Sequence, residues 1–297
     1  MKVWIDGQFY EKSEAKVSVF DHGLLYGDGV FEGIRSYAGV VFKLDEHIDR
    51  LYASSKAILL NIPLSKKEMS DAIVASVREN GLKDAYIRVI VTRGAGDLGL
   101  DMRKCPKPGI IIIADKIQLF PEEVYNRGLK LIVSHLRRVP PDTLSPAIKS
   151  LNYLNNILAR AEASRANCEE AILLNRDGYV AECSGDNIFA IRNGKVHTPP
   201  VYVGILEGIT RNTVMDLAAQ KLGLQVAETV FTVPQMYRAD EVFVTGTGAE
   251  IIGVVEVNGR IIADGKPGPL TMQLIKEFRR FACSPEAGTP VYQTASV

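Results

Sequence analysis

The sequence predicts an α/β chain with mixed or antiparallel sheets, arranged as two domains. Three observations carry this reading. Asp-Gly and Asn-Gly pairs recur between β-rich runs, at Asp6-Gly7, Asp177-Gly178, Asn193-Gly194 and Asn258-Gly259. Such pairs accept positive φ and close hairpins, which make antiparallel neighbours rather than a doubly wound parallel sheet. Stretches with helical apolar spacing alternate with the hairpins. The 297 residues also exceed one average domain.

The elements follow in order. VWIDGQFY reads as a hairpin, and GVFEGIRSYAGVVFKL as two strands joined at Ala38-Gly39. LDEHIDRLYASSKAILL places Leu44, Ile48, Leu51, Tyr52, Ile58 and Leu59 on one helix face, with Asp45 as its N-cap. A second helix runs near Lys66 to Asn80 and stops at Gly81. AYIRVIVTRG and GIIIIAD are strands, rich in β-formers. KIQLFPEEVYNRG breaks the pattern at Pro121, ahead of the strand LKLIVSHL. The expected division is therefore residues 1–117, a linker over 118–124, and residues 125–297. In the second part SLNYLNNILARAEAS is helical, three hairpins follow through the Asp-Gly and Asn-Gly pairs, and helices follow Thr210 and Pro269. The final SPEAGTPVYQTASV reads as a frayed tail.

Lys plus Arg equals Asp plus Glu, 35 each, so no global field gathers nucleic acid or anionic membrane. Any bound anion needs a local site. Cys105, Cys168, Cys183 and Cys283 form no CxxC pair and no metal-ligand spacing with His, so no metal is expected and free thiols in a reducing compartment are. The N-terminus begins in a strand pattern without a long apolar run, which predicts a cytoplasmic protein.

Several residues offer chemistry. Lys149 follows a β-rich stretch and precedes a helix, where a lysine can reach a cleft; a solvated surface lysine fits that segment better. Gly208-Ile209-Thr210 opens a helix, whose free N–H groups suit a phosphate, though a plain Thr N-cap is the better reading of this segment alone. Thr247, Gly248 and Ala249 end a β-rich run with amides able to approach an anion, and a simple Gly-rich turn is an equal reading. Glu182 could hold a protonated pyridine nitrogen, and Arg50 a phosphate, against ordinary surface roles for each.

Taken together and in this order, these residues resemble the class IV aminotransferases. The stretch from EAILLNRDGYVAECSGDNIF through GILEGITRNTV to ADEVFVTGTGAEI is close to the family's signature, and the similarity runs from VWIDGQF to about Phe281. The resemblance implies a fold type IV, D-amino-acid-aminotransferase-like architecture and pyridoxal 5'-phosphate as cofactor. It implies Lys149 as the covalent attachment point and proton carrier, and Tyr153 as partner of the cofactor's phenolic oxygen. Glu182 becomes the ring-nitrogen partner, and Arg50, Leu206, Gly208, Ile209, Thr210 and Thr247 the surroundings of ring and phosphate. Gly248 and Ala249 would hold a substrate carboxylate.

YGDGVFEGIR resembles the branched-chain subgroup, which implies transamination of L-leucine, L-isoleucine and L-valine with 2-oxoglutarate. Tyr26, Phe31 and Tyr86 would line the side-chain pocket. Arg88 would meet the 2-oxoglutarate side-chain carboxylate, with Arg35 as the second arginine. Leu98 to Leu100 would reach a neighbouring subunit, so a homodimer or larger homo-oligomer is implied. Leu119 or Phe120 would cover the pocket. YIRV departs from the YIRP form of well-known bacterial members, which leaves the substrate range open. A D-amino-acid or (R)-amine aminotransferase and an aminodeoxychorismate lyase are the alternatives within the fold.

Overall fold

A computed structural model describes residues 1–116 and 119–292, and the elements below belong to those residues. The chain forms two compact units. Met1–Ile117, Ile148–Asn152 and Phe281–Val297 make the first; Gln118–Ala147 and Tyr153–Arg280 make the second. This division is discontinuous in sequence, unlike the single break expected, and it assigns the short Lys149 segment to the first unit. The expected boundary at 117/118 and the last five residues of the expected tail, 293–297, lie outside the described residues.

The first unit holds β1 (Lys2–Ile5), β2 (Gln8–Glu11), α1 (His22–Tyr26), β3 (Gly29–Tyr37), β4 (Val40–Phe42), α2 (Leu44–Ala57), α3 (Lys66–Glu79), β5 (Ala85–Thr92), β6 (Gly109–Asp115) and β16 (Gly288–Pro290). Its strands form one sheet in the order β16-β4-β3-β5-β6-β1-β2, antiparallel throughout. The two tight turns use positive φ as expected, at Asp6-Gly7 and Ala38-Gly39. Ile34, Ile87, Val89 and Ile112 on the sheet pack with Leu44, Ile48, Leu51, Met69 and Ile73 of α2 and α3. Burial of those apolar side chains drives this layer together. On β5 burial alternates strictly from Ala85 to Ile90, so Tyr86, Arg88 and Ile90 share the more open face.

Two expectations are corrected here. Asp45 is not the cap of α2. Lys43 occupies that position in a left-handed conformation, and Asp45 and Glu46 sit in the first turn, where they complement the helix dipole. The tail is not frayed over 288–290, because these residues pair antiparallel with Val40–Phe42 as β16. Ser65 and Glu68 start α3 with a capping box, which fixes its onset.

The second unit holds α4 (Glu122–Arg127), β7 (Leu129–Arg137), α5 (Pro141–Leu144), α6 (Leu154–Arg165), β8 (Glu170–Leu174), β9 (Val180–Cys183), β10 (Asn187–Arg192), β11 (Lys195–Thr198), α7 (Ile209–Leu222), β12 (Gln225–Glu228), α8 (Val233–Tyr237), β13 (Glu241–Gly246), β14 (Glu250–Val257), β15 (Arg260–Ile261) and all but the last two residues of α9 (Pro269–Ala282). Its mixed sheet runs β12-β11-β10-β13-β14-β7-β8-β9, with β15 paired to β14. The pairs β11/β12, β14/β7 and β7/β8 are parallel and the others antiparallel. The hairpins at Asp177-Gly178, Asn193-Gly194 and Asn258-Gly259 form as expected. Leu129, Leu131, Ile172, Ile188, Val244, Ile252 and Val254 build the core. A small alanine cluster, Ala159, Ala163 and Ala171 with Leu173, seats α6 closely on β7 and β8. No helix among the described residues is long and apolar enough to cross a membrane.

Candidate active site

The first unit gathers Lys149 and Arg50 around β3 and α2. The Phe31 N–H donates to the Lys149 carbonyl at 2.9 Å, and the Leu151 N–H to the Gly29 carbonyl at 2.9 Å. The Lys149 N–H donates to Ser54 Oγ at 3.1 Å. The Lys149 segment is therefore an extra extended edge on β3, fastened also to α2. Lys149 is half-buried, and its Nζ lies 4.7 Å from the centroid of the Phe31 ring, a cation–π distance.

Arg50, one turn before Ser54 on α2, is gripped by Glu32 of β3. Its Nε donates to Oε1 at 2.7 Å and its Nη2 to Oε2 at 2.8 Å, a bidentate fork. His47 Nδ1 lies 2.8 Å from the same Oε2. Burial works to raise the pKa of the fully enclosed Glu32. The Arg50 charge and the bonds from Arg50 and His47 outweigh it and hold the carboxyl at about 2. An ionised carboxylate only accepts, so His47 Nδ1 carries the proton. Burial in turn pushes the His47 pKa down and keeps the ring neutral, against the pull of Glu32.

The aromatic residues lie on the open face of β3 and β5. Register sets Gly33 opposite Arg88 and Arg35 opposite Tyr86. The Arg88 guanidinium sits 4.6 Å from the Phe31 ring centroid. Gly33 carries no β-carbon, and the Tyr86 hydroxyl fills the space one would take. Arg88 Nη2 donates to that hydroxyl at 2.9 Å. The Arg35 guanidinium lies 4.9 Å from the Tyr37 ring centroid. Tyr26, at the end of α1, stacks edge-on against His22 and donates to the Leu98 carbonyl at 2.5 Å. Leu98 and Leu100 are largely exposed.

The second unit builds a carboxylate site on β9. Glu182 is buried, and Arg138 Nε donates to its Oε1 at 2.6 Å. The Leu206 N–H donates to Oε2 at 3.0 Å, and Asn187 Nδ2 at 3.3 Å. Asn187 Nδ2 also donates to the Leu206 carbonyl at 2.9 Å, which ties the 206 loop to β10. A β-carbon at Gly208 would come within 2.0 Å of Asn187 Oδ1, so glycine leaves the room this amide occupies. Gly208 is the N-cap of α7 and supplies no side-chain cap, which corrects the expectation that Thr210 caps this helix. Thr210 is instead a buried residue of the first turn. Asn156 Nδ2 donates to the Ser184 carbonyl at 2.7 Å, and Tyr153 is the N-cap residue of α6.

Thr247, Gly248 and Ala249 form the turn between β13 and β14, with Ala249 fully buried. Leu119 approaches Gly248, whereas Phe120 belongs to the core of this unit and does not face outward. Sequence reasoning missed Glu32, His47, Ser54, Arg138, Asn156 and Asn187. Glu32 and Asn187 lie inside recognised stretches, but nothing in local pattern distinguishes a buried partner from a surface residue. Among the described residues no group of His, Cys, Asp and Glu has the geometry to hold a metal ion.

A family model for class IV aminotransferases matches residues 29–257, and the chain belongs to that family. A Methanocaldococcus jannaschii protein provisionally named a branched-chain-amino-acid aminotransferase is 52% identical over 279 residues, 94% of this chain and 96% of its own. Among solved structures, the branched-chain aminotransferase of Thermoproteus uzoniensis with norvaline superposes with a TM-score of 0.91 at 40% identity, covering 98% of this chain and 99% of that one. A T.th. branched-chain amino acid aminotransferase with pyridoxamine 5'-phosphate gives 0.92 at 37% identity, covering 96% of both chains.

Proposed function

We propose that this chain is a branched-chain-amino-acid aminotransferase that exchanges the amino group of L-leucine, L-isoleucine or L-valine with 2-oxoglutarate through pyridoxal 5'-phosphate. The single observation that carries the cofactor is Glu182. A buried carboxylate paired with Arg138 and a backbone N–H suits a protonated pyridine nitrogen. The start of α7, with a glycine cap and no side-chain cap, suits a phosphate group, as does the guanidinium charge of Arg50, held in place by Glu32.

When bound, the cofactor supplies an electron sink that makes the substrate Cα proton acidic. Lys149 Nζ would hold it covalently and would carry the proton between the substrate Cα and the cofactor's C4′. Glu182 holds the ring-nitrogen proton, with Leu206 as its amide partner. Tyr153 orients the phenolic oxygen. Arg50, Gly208, Ile209, Thr210 and Thr247 bind the phosphate. Gly248 and Ala249 present amides to the substrate carboxylate.

Tyr26, Phe31 and Tyr86 shape an apolar wall, while Arg88 pairs with the side-chain carboxylate of 2-oxoglutarate and glutamate. A wall of rings with one adjacent arginine can take an isopropyl group or an acid in turn. Arg35 is the second arginine of this wall. The exposed apolar residues Val19, Phe20, Leu24 and Leu25, close to Tyr26 in the chain, support a homo-oligomer. Cysteines that form no disulfide among the described residues support a reducing, cytoplasmic setting.

The test is a coupled assay with each branched-chain amino acid and 2-oxoglutarate, run on wild type and Arg88→Ala. Wild type should form glutamate, and the variant should lose more with 2-oxoglutarate than with 2-oxo acids of branched chains. No glutamate from wild type sinks the proposal; equal losses remove Arg88 from the dual role.

A further inference from the structure

The first unit contains a buried ionic cluster whose acidic member the reaction as described leaves unused. Glu32 is fully enclosed, yet it is ionised and accepts three hydrogen bonds, two from Arg50 and one from His47. A buried pair of this kind contributes little net stability, because a well-packed apolar replacement often does as well. Its geometry gives it another use. Glu32 takes the Nε–Nη2 edge of the guanidinium, which fixes the plane of the fork and the direction of its Nη1 side. His47, one turn earlier on α2, holds the carboxylate from behind, so the carboxylate cannot rotate with the arginine. The side chain of Arg50 is 15% exposed against 0% for Glu32, so the arginine is the outward member of the pair.

From these contacts we infer that Glu32, seconded by His47, is the positioning residue that aims Arg50 at the phosphate monoester of the cofactor. This inference rests on the pyridoxal-phosphate reading. It adds that the grip on the phosphate depends on a carboxylate that never touches the cofactor. A flexible arginine must be ordered at the moment of binding, which weakens affinity; a preset one is ordered already. The same cluster adjoins Lys149, whose backbone is fastened to α2 through Ser54 and to β3 through Phe31. The phosphate grip and the lysine are thereby held by the same two elements.

The test compares two probes on the apoprotein. Pyridoxal 5'-phosphate and pyridoxal, which lacks the phosphate, are titrated into wild type and Glu32→Gln, and binding is read from absorbance. Glu32→Gln keeps the shape but removes the charge, and should weaken pyridoxal 5'-phosphate about tenfold or more while leaving pyridoxal within about twofold, as expected for a lost charge-assisted fork. A merely structural role would weaken both probes alike. Equal losses, or no loss for either probe, overturn the inference. If Glu32→Gln does not fold, the same titrations on His47→Leu decide, with a smaller loss confined to the phosphorylated probe. Failure of the wild type to bind pyridoxal 5'-phosphate would instead remove the cofactor reading beneath it.

Discussion

Each unit buries an arginine–glutamate pair, and the two pairs differ in how their charges are enclosed. In the first unit Arg50 is the more exposed partner and Glu32 the enclosed one. In the second unit Glu182 and Arg138 are buried to nearly the same degree, at 2.6 Å, and the carboxylate additionally receives Leu206 and Asn187. The first pair thus turns its cation outward with the anion enclosed, whereas the second encloses both charges and gives its carboxylate two further N–H donors. The comparison also teaches why neither charge stands alone. An unpaired buried charge would be neutralised by a shifted pKa, and the opposite partner prevents that.

The strongest way to break this comparison is Arg138→Met. It strands Glu182 in a buried setting, and breaking such a pair costs about 3–5 kcal/mol. The melting temperature should drop, and turnover of the folded fraction should fall by about tenfold or more, because a bond to a charged group is worth roughly 1.5–3 kcal/mol. Arg138→Lys should recover part of both. Unchanged stability and turnover in Arg138→Met would show that Glu182 needs no cation behind it.

A smaller effect separates the units by pH. Burial lowers the His47 pKa below its ordinary 6.5, so its neutral form stabilises the fold above that value and this contribution is lost as pH falls below 6.5. Glu32, held at about 2 against an ordinary 4.5, adds stability above pH 4.5 that is lost as pH falls from 4.5 toward 2. Amide hydrogen exchange compared between about pH 7.5 and about pH 5.5, on either side of the ordinary histidine range, should show α2 and β3 losing protection before β8 and β9. The reverse order would place the acid-sensitive element in the second unit.

Much of the fold was legible because its signals are local. Asn193-Gly194 and Asn258-Gly259 specify their own turns, and the spacing of Leu44, Ile48 and Leu51 specifies a helix face. The capping detail was less legible: Asp45 has the right chemistry for a cap, but the chain enters α2 through a left-handed Lys43. β16 was hidden because its partner β4 lies far away in sequence, and GTP alone carries no strand pattern. The site divides in the same way. Lys149, Glu182 and the 208–210 and 247–249 segments were singled out because their order matches a family. Their supports were not, since Arg138 and Glu182 are separated by 44 residues and Glu32 and Arg50 by 18. Residue type gives charge, but only the folded chain says which charge stands behind which.

The proposed function places the cofactor on Lys149. Borohydride reduction of the pyridoxal-phosphate-loaded protein, followed by proteolysis and mass mapping, tests it most directly. The phosphopyridoxyl mass should appear on the peptide containing Lys149 and be absent in Lys149→Ala. A label fixed to another lysine, or the same label retained in Lys149→Ala, would contradict the account.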